Sequence, residues 1–156
     1  MKIAVLERNS VGTDIDVTCF EDFGEVTYYR NTVAADAAEK VKDVDIIIAN
    51  KAPMNEETLK DAPNVKLICE FATGFDNIDL EYCKKRRIKV ANVKDYSTAA
   101  VAQHTFALAL YLLEHLPHYD TYVKDGSYGA QDRFSNFDLP FTELAGKTWG
   151  IIGMGN

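Results

Sequence analysis

The chain has 156 residues, a length that suits one domain, or one domain with part of a second. Its hydrophobic fraction of 47% is ordinary for a globular protein. Lysine and arginine number 17 against 24 aspartates and glutamates, so the formal net charge is −7. This acidity disfavours nucleic acid and anionic membranes as partners. The three cysteines, Cys19, Cys69 and Cys83, fit no metal-binding spacing and are expected to be reduced thiols. Because we find neither a signal-peptide core nor an apolar run of membrane-spanning length, the expected location is cytoplasmic.

Short apolar runs alternate with helical patterns over the first 96 residues. Strands are predicted at residues 2–6, 25–29, 44–49, 65–71 and 88–93. The third and fourth runs are almost continuously apolar, which is typical of strands buried on both faces of a parallel sheet. Helices are predicted between them, at residues 14–23, 34–42, 55–61 and 79–87, with Asn55, Asp76 and Asp79 as candidate caps. The alternation predicts an α/β domain with a doubly wound parallel sheet.

The pattern changes after Tyr96. A long helix is predicted from Ser97 or Thr98 to about residue 116, where Pro117 should end it. Its apolar residues surround most of the helix, so we expect burial on several sides, in a core or a subunit interface. Residues 118–144 have no clear period and many aromatics, which predicts a long arm that packs against another subunit.

The last residues read as a strand that leads into a glycine-rich turn. A strand is predicted at residues 148–152, and Gly153 and Gly155 follow it as the first half of a G-x-G-x-x-G pattern. In a dinucleotide turn the first glycine permits the tight bend and the second lets the backbone approach the pyrophosphate. The sequence contains neither the third glycine nor the helix after it, so the two glycines form an incomplete cofactor-binding fingerprint.

Four segments resemble the D-isomer-specific 2-hydroxyacid dehydrogenases in order and spacing, and together they cover essentially the whole chain. They are residues 50–54 (Asn-Lys-Ala-Pro-Met), 71–79 (Phe-Ala-Thr-Gly-Phe-Asp-Asn-Ile-Asp), 92–105 (Asn-Val-Lys-Asp-Tyr-Ser-Thr-Ala-Ala-Val-Ala-Gln-His-Thr) and 144–156. The Asn50-Lys51 pair is similar to the glycerate dehydrogenase and hydroxypyruvate reductase branch. Trp149 departs from the family, which usually has a small aliphatic residue there.

The resemblance implies a domain plan and an activity. Residues 1–96 would be a flavodoxin-like substrate domain, and residues 97–156 would hold the crossing helix, the arm and the first strand of a truncated Rossmann domain. The family interconverts a D-2-hydroxy acid and its 2-keto acid by hydride transfer with NAD(H). The implied substrate-binding residues are Thr73 and Gly74, whose amides hold the carboxylate, with Tyr96 and Lys51. Position agrees, because Thr73 and Gly74 follow a central strand, where open α/β sheets bind ligands.

The family's catalytic groups are an arginine, a histidine and a carboxylate, and all three lie beyond the fingerprint. The resemblance therefore implies no catalytic residue in this chain, and we interpret His104, His115 and His118 as structural. We expect a polypeptide of this sequence to be inactive, to bind no NAD, and to form a homodimer through residues after Ser97.

Two other functions fit parts of the pattern. One is a non-enzymatic module that self-associates or binds a partner through the long helix and the aromatic arm. The other is a receiver-like domain, which needs a cluster of acids around a phosphorylatable aspartate. The strand ends here read Ala49-Asn50-Lys51 and Phe71-Ala72-Thr73, which disfavours the receiver.

Overall fold

A computed structural model describes residues 1–153 of the chain. They fall into two compact units, the first Met1–Lys94 and the second beginning at Asp95. The first unit contains five parallel strands: β1 Lys2–Val5, β2 Glu25–Tyr28, β3 Ile46–Ala49, β4 Leu67–Glu70 and β5 Lys89–Ala91. Their order in the sheet is β2-β1-β3-β4-β5, which is the flavodoxin-like order. The predicted α/β fold with a parallel sheet is therefore confirmed.

Three helices cover one face of this sheet: α1 Ala34–Val41, α2 Glu56–Leu59 and α3 Leu80–Lys85. Two of the predicted caps are present, since Asn55 accepts from the Thr58 amide at 3.1 Å and Asp79 from the Tyr82 amide at 2.9 Å. The third is wrong, because Asp76 lies in a turn before α3. These caps fix where α2 and α3 begin, and so how the chain leaves β3 and β4.

The helix predicted at residues 14–23 is wrong. The structure has a short 3-10 helix at Arg8–Ser10 and a longer one at Thr18–Phe23. Asp16 Oδ1 accepts from both the amide and the hydroxyl of Thr18, at 2.8 and 2.7 Å, and such a local bond competes with α-helix formation. Gly24 ends the segment at φ 154°, where an added Cβ would lie 2.1 Å from the Met1 carbonyl oxygen.

The two faces of the sheet bury different sets of side chains. The helical face carries the larger core, which includes Leu6, Ile47 and Ile68. On the opposite face Ile3, Val5 and Ile48 pack with residues of the 3-10 helix Thr18–Phe23, whose Phe20 ring lies 5.9 Å from that of Phe71. Because both faces are apolar at β3 and β4, these strands read as continuous apolar runs in the sequence.

The second unit is helical, with α4 Thr98–Leu113, α5 Leu116–Lys124 and α6 Ser127–Ala130. The long helix therefore ends before Pro117, which instead lies in the first turn of α5, a position that proline favours. The break falls at His115, whose φ is 50°. The prediction that residues 118–144 lack regular structure is wrong as far as Ala130, because α5 and α6 lie there, whereas residues 131–144 form no helix or strand.

Two further predictions for the second unit are corrected by the structure. Residues 148–152 form no strand, because no described residue of this unit offers them a strand to pair with. Helix α4 buries none of its residues, so the expected burial does not occur within this chain. The Phe106 ring nevertheless packs 5.1 Å from that of Trp149. No helix among residues 1–153 has the length and apolar character needed to cross a membrane.

Candidate functional site

The carboxyl ends of β3, β4 and β5 bring three loops to one edge of the sheet. Lys51 follows β3, and Thr73 and Gly74 follow β4, which pairs with β3 directly. Open parallel sheets bind ligands outside this edge because the loops diverge there and backbone amides point outward. Three of the four residues predicted to bind substrate are thus on neighbouring loops of the same edge.

Hydrogen bonds fix the loop that carries Thr73 and Gly74. The Thr73 hydroxyl donates to the Val93 carbonyl at 2.8 Å, and the Asn92 side chain donates to the Thr73 carbonyl at 2.8 Å. The Val93 amide adds a bond of 3.0 Å to the Ala72 carbonyl. Within the described part of the chain, no residue accepts from the Thr73 or Gly74 amide, and both residues are exposed. These amides are free to bind an anion.

Gly74 is not required by the local backbone. Its φ lies outside the left-handed region, and an added Cβ would meet Asp76 Oδ2 at 3.8 Å, an ordinary contact. An alanine could therefore occupy this position without strain. Because the backbone conformation does not require glycine here, the absence of a side chain at Gly74 is consistent with a ligand that comes close to the backbone.

Glu7 is a site residue that the sequence reasoning missed. Its carboxylate is buried just past β1 and accepts from the Asn50 amide at 2.6 Å and from the Lys51 amide at 2.9 and 3.0 Å. The amides after β3 are therefore occupied by an internal anion. A substrate carboxylate at this edge has the amides after β4 available instead. The only sequence signal was a glutamate directly after an apolar strand.

Glu70 is the second missed residue. It ends β4 and is 1% exposed. One carboxyl oxygen accepts from Asn77 Nδ2 at 3.3 Å, and the other, Oε1, has no hydrogen-bond partner among the described residues. Burial raises the pKa of Glu70 to about 7; the Asn77 hydrogen bond opposes that rise, the Glu7 charge adds to it, and Lys51 opposes it. Perturbed carboxyl groups of this kind cluster at functional sites.

The positions of the remaining predicted residues say less about their roles in binding. The Lys51 side chain is exposed at the edge of the sheet. Tyr96 belongs to the second unit, where it is 65% exposed, and its proximity to Thr73 stays a prediction. Among the histidines, His118 stacks on Tyr122 at 6.1 Å, in a cluster of aromatic rings. No group of three potential metal ligands occurs among residues 1–153.

Of the two fingerprint glycines, Gly153 alone lies within the described residues. Gly153 has φ 120°, a conformation that favours glycine, and its surroundings are open. The residues before it are exposed and form no strand, and Gly155 lies outside the described residues. A pyrophosphate site needs a strand, a tight turn and a helix N-terminus in sequence. The described residues on their own do not fit NAD.

The fold and the geometry of the sheet edge define a flavodoxin-like α/β domain with an anion-accessible loop after its fourth strand. Comparison with known proteins identifies the family. Residues 3–148 match the family described as D-isomer specific 2-hydroxyacid dehydrogenase, catalytic domain. This chain belongs to the D-isomer-specific 2-hydroxyacid dehydrogenase family, as its motifs predicted.

Individual relatives agree with that assignment. The chain is 35% identical to hydroxypyruvate reductase of Blautia hydrogenotrophica and 34% identical to glycerate dehydrogenase of Methylorubrum extorquens. Each match covers 99% of this chain and 49% of the relative, so the chain spans about half the length of these proteins. D-lactate dehydrogenase from Aquifex aeolicus, solved with NAD and lactic acid, superposes with a TM-score of 0.70 at 29% identity, over 92% of this chain and 41% of that one.

Proposed function

We propose that this chain supplies the substrate domain of an NAD-dependent dehydrogenase that interconverts a small D-2-hydroxy acid and its 2-keto acid. The observation that carries the proposal is the exposed loop after β4, where the Thr73 and Gly74 amides have no acceptor among the described residues. The names of the two relatives above favour hydroxypyruvate and D-glycerate as the substrate pair.

In this proposal the chain's own residues bind and orient the acid. The Thr73 and Gly74 amides donate hydrogen bonds to the substrate carboxylate, and the Lys51 ammonium adds a favourable charge. Tyr96 occupies a position where some members of the family have a tyrosine near the substrate. When NAD is bound, it accepts the hydride. In the family, the glycine-rich turn that binds NAD begins at the positions of Gly153 and Gly155. The arginine, histidine and acidic groups of the reaction follow that turn in the family.

A chimera tests the activity. Residues 1–156 would be joined to the second half of hydroxypyruvate reductase from Blautia hydrogenotrophica, and oxidation of NADH would be followed with hydroxypyruvate and glyoxylate. We expect turnover of a 2-keto acid by the chimera and none by residues 1–156 alone. A folded chimera that binds NADH but reduces no 2-keto acid would overturn the proposal.

Gly74→Ala is expected to weaken substrate binding while leaving the fold intact. The added Cβ meets no close neighbour, so the free energy of unfolding should change by only about 0.5 kcal/mol. The methyl group would project where the carboxylate approaches the backbone, and KM of the chimera for hydroxypyruvate should rise about tenfold, the effect of roughly one displaced hydrogen bond. Gly129→Ala, a second exposed glycine with open surroundings, is the matched control. Equal KM values for the two variants would exclude Gly74 from the site.

Residues 1–156 alone are expected not to bind NADH. Residues 1–156 hold only the first half of the G-x-G-x-x-G pattern, and in the family the amides that bind the pyrophosphate follow that half. Calorimetric titration with NADH measures this, with the chimera as the positive control. A saturable site of micromolar affinity in residues 1–156 would show that the nucleotide site is built differently.

We also propose that the chain self-associates through the second unit. Helix α4 buries no residue and exposes several large apolar side chains, among them Val101, Phe106 and Leu112. An exposed apolar surface of this kind is typical of subunit interfaces. Two copies related by a two-fold axis could cover each other's α4, which would bury the same residues on both chains. The same surface is what the alternative, a non-enzymatic association module, would use.

A further inference from the structure

We propose that Glu70 and Asn77 form a positioning pair that holds the loop carrying Thr73 and Gly74 in the geometry that receives the substrate carboxylate. This inference rests on the proposed function, because it assigns the pair to the same loop. Neither residue contacts the substrate in this proposal, and both act through the backbone between them.

The two side chains close the loop at its base. Glu70 is the last residue of β4, and Asn77 lies at the far end of the loop, seven residues on. Asn77 Nδ2 donates to Glu70 Oε2 at 3.3 Å and also to the Ala52 carbonyl at 3.0 Å. The Met54 amide donates to the Asn77 carbonyl at 2.8 Å. One amide side chain thus joins both ends of the loop after β4 to the segment after β3.

The bonds at the outer side of the loop, from Asn92 and to Val93, fix its other flank. Thr73 makes this second set of bonds itself, and Gly74 lies between Thr73 and Asn77; both Thr73 and Gly74 are exposed. A loop held on both sides keeps its free amides in one arrangement, which lowers the entropic cost of binding an anion there.

Glu70 fills this role as the neutral acid. Its Oε1 is buried with no donor among the described residues, and an ionised oxygen in such a place is strongly disfavoured. The charged groups that act on it are Glu7, past β1, and Lys51, past β3. Glu7 already accepts from two backbone amides, whereas Glu70 Oε1 has no donor among the described residues. With its pKa raised by burial to about 7, Glu70 retains its proton below that pH.

Ionisation of Glu70 should then disturb the loop and repel an incoming carboxylate. The first unit contains no histidine, and the Met1 amino group lies at the start of β1, away from the carboxyl edge. A titration near neutral pH at Thr73 and Gly74 that Glu70→Gln removes is assigned to Glu70.

The test uses amide chemical shifts of the 15N-labelled 156-residue chain between pH 5.5 and 8.5. We expect the Thr73 and Gly74 amides of the wild type to titrate with a midpoint near 7, and Glu70→Gln to remove this titration while leaving the shifts close to those of the wild type at low pH. Gln retains an acceptor for Asn77 and carries no charge. Glu70→Ala should displace both amide resonances at every pH. Glu39→Gln, at an exposed site on α1, is the control.

The same samples are then titrated with hydroxypyruvate. Wild-type affinity should fall about fivefold from pH 6 to pH 8, and that of Glu70→Gln should stay constant. Flat Thr73 and Gly74 shifts in the wild type, or a Glu70→Gln spectrum that matches Glu70→Ala, would overturn the positioning role. Shifts that titrate without any response to hydroxypyruvate would leave the positioning role standing and refute the proposed substrate site.

Discussion

Glu70→Gln is expected to stabilise the first unit above pH 7 and to have little effect near pH 4.5. The folded-state pKa of Glu70, about 7, is raised from an ordinary value of 4.5. Between these two values the unfolded chain has lost the proton and the folded chain still holds it, so stability falls as pH rises through this window. A shift of this size corresponds to about 3 kcal/mol, since one pKa unit is about 1.4 kcal/mol. Glutamine carries no such penalty.

Urea unfolding at pH 4.5, 6, 7 and 8 measures this effect. The Ile47 and Ile68 amide resonances report on the first unit alone, because both residues belong to its core. The relevant quantity is the difference in unfolding free energy between Glu70→Gln and the wild type, because other carboxyl groups cancel in that difference. Glu39→Gln, at an exposed position of α1, is measured at the same pH values as the control. A constant difference for Glu70→Gln as well would mean that Glu70 ionises at its ordinary pKa.

Leu112→Glu is expected to weaken self-association about 100-fold or more. Leu112 is 69% exposed on α4, and burying a leucine contributes about 2 kcal/mol. A two-fold interface loses this contribution twice, and each 1.4 kcal/mol corresponds to about tenfold in Kd. The introduced carboxylates would add a desolvation cost where they entered the interface.

Sedimentation equilibrium over a concentration series of the 156-residue chain determines the Kd. Gln103→Glu introduces the same charge at an exposed polar position of α4 and should change the Kd far less. If Leu112→Glu associates as tightly as the wild type, the interface lies elsewhere. A wild type that is monomeric at tens of micromolar would refute self-association altogether.

The strands were predictable because burial on both faces requires a continuous run of apolar residues in the sequence. The runs that contain Ile46, Ile47 and Ile68 have few polar residues. A short run of this kind indicates a strand of a parallel sheet, because both faces of such a strand are buried. Asn55 and Asp79 were equally predictable as caps, because capping depends on residues only three positions apart. Local interactions of this kind can be predicted from the neighbouring residues alone.

The errors have physical causes that local patterns do not contain. The end of α4 depends on the left-handed backbone of His115, although Pro117 seemed the natural stop. Residues 148–152 have the composition of a strand, but strand formation requires a pairing partner. Glu7 and Glu70 were missed because their roles come from tertiary structure. Glu7 binds amides 43 and 44 residues away, and Glu70 is notable only for being buried.

The Glu7 carboxylate also gives this edge of the sheet a preference for ligand charge. Two amides that could have received an anion already hold one, and Glu70 lies close enough for Glu7 to influence its ionisation. A ligand with a single carboxylate can use the amides after β4 and keep its other end away from Glu7. A ligand with a second anionic group, such as a phosphate ester, would bring that group towards the Glu7 carboxylate, whose neighbouring amides are already occupied. We therefore expect this edge to favour ligands with one anionic group, and that preference should weaken as salt screens the charges.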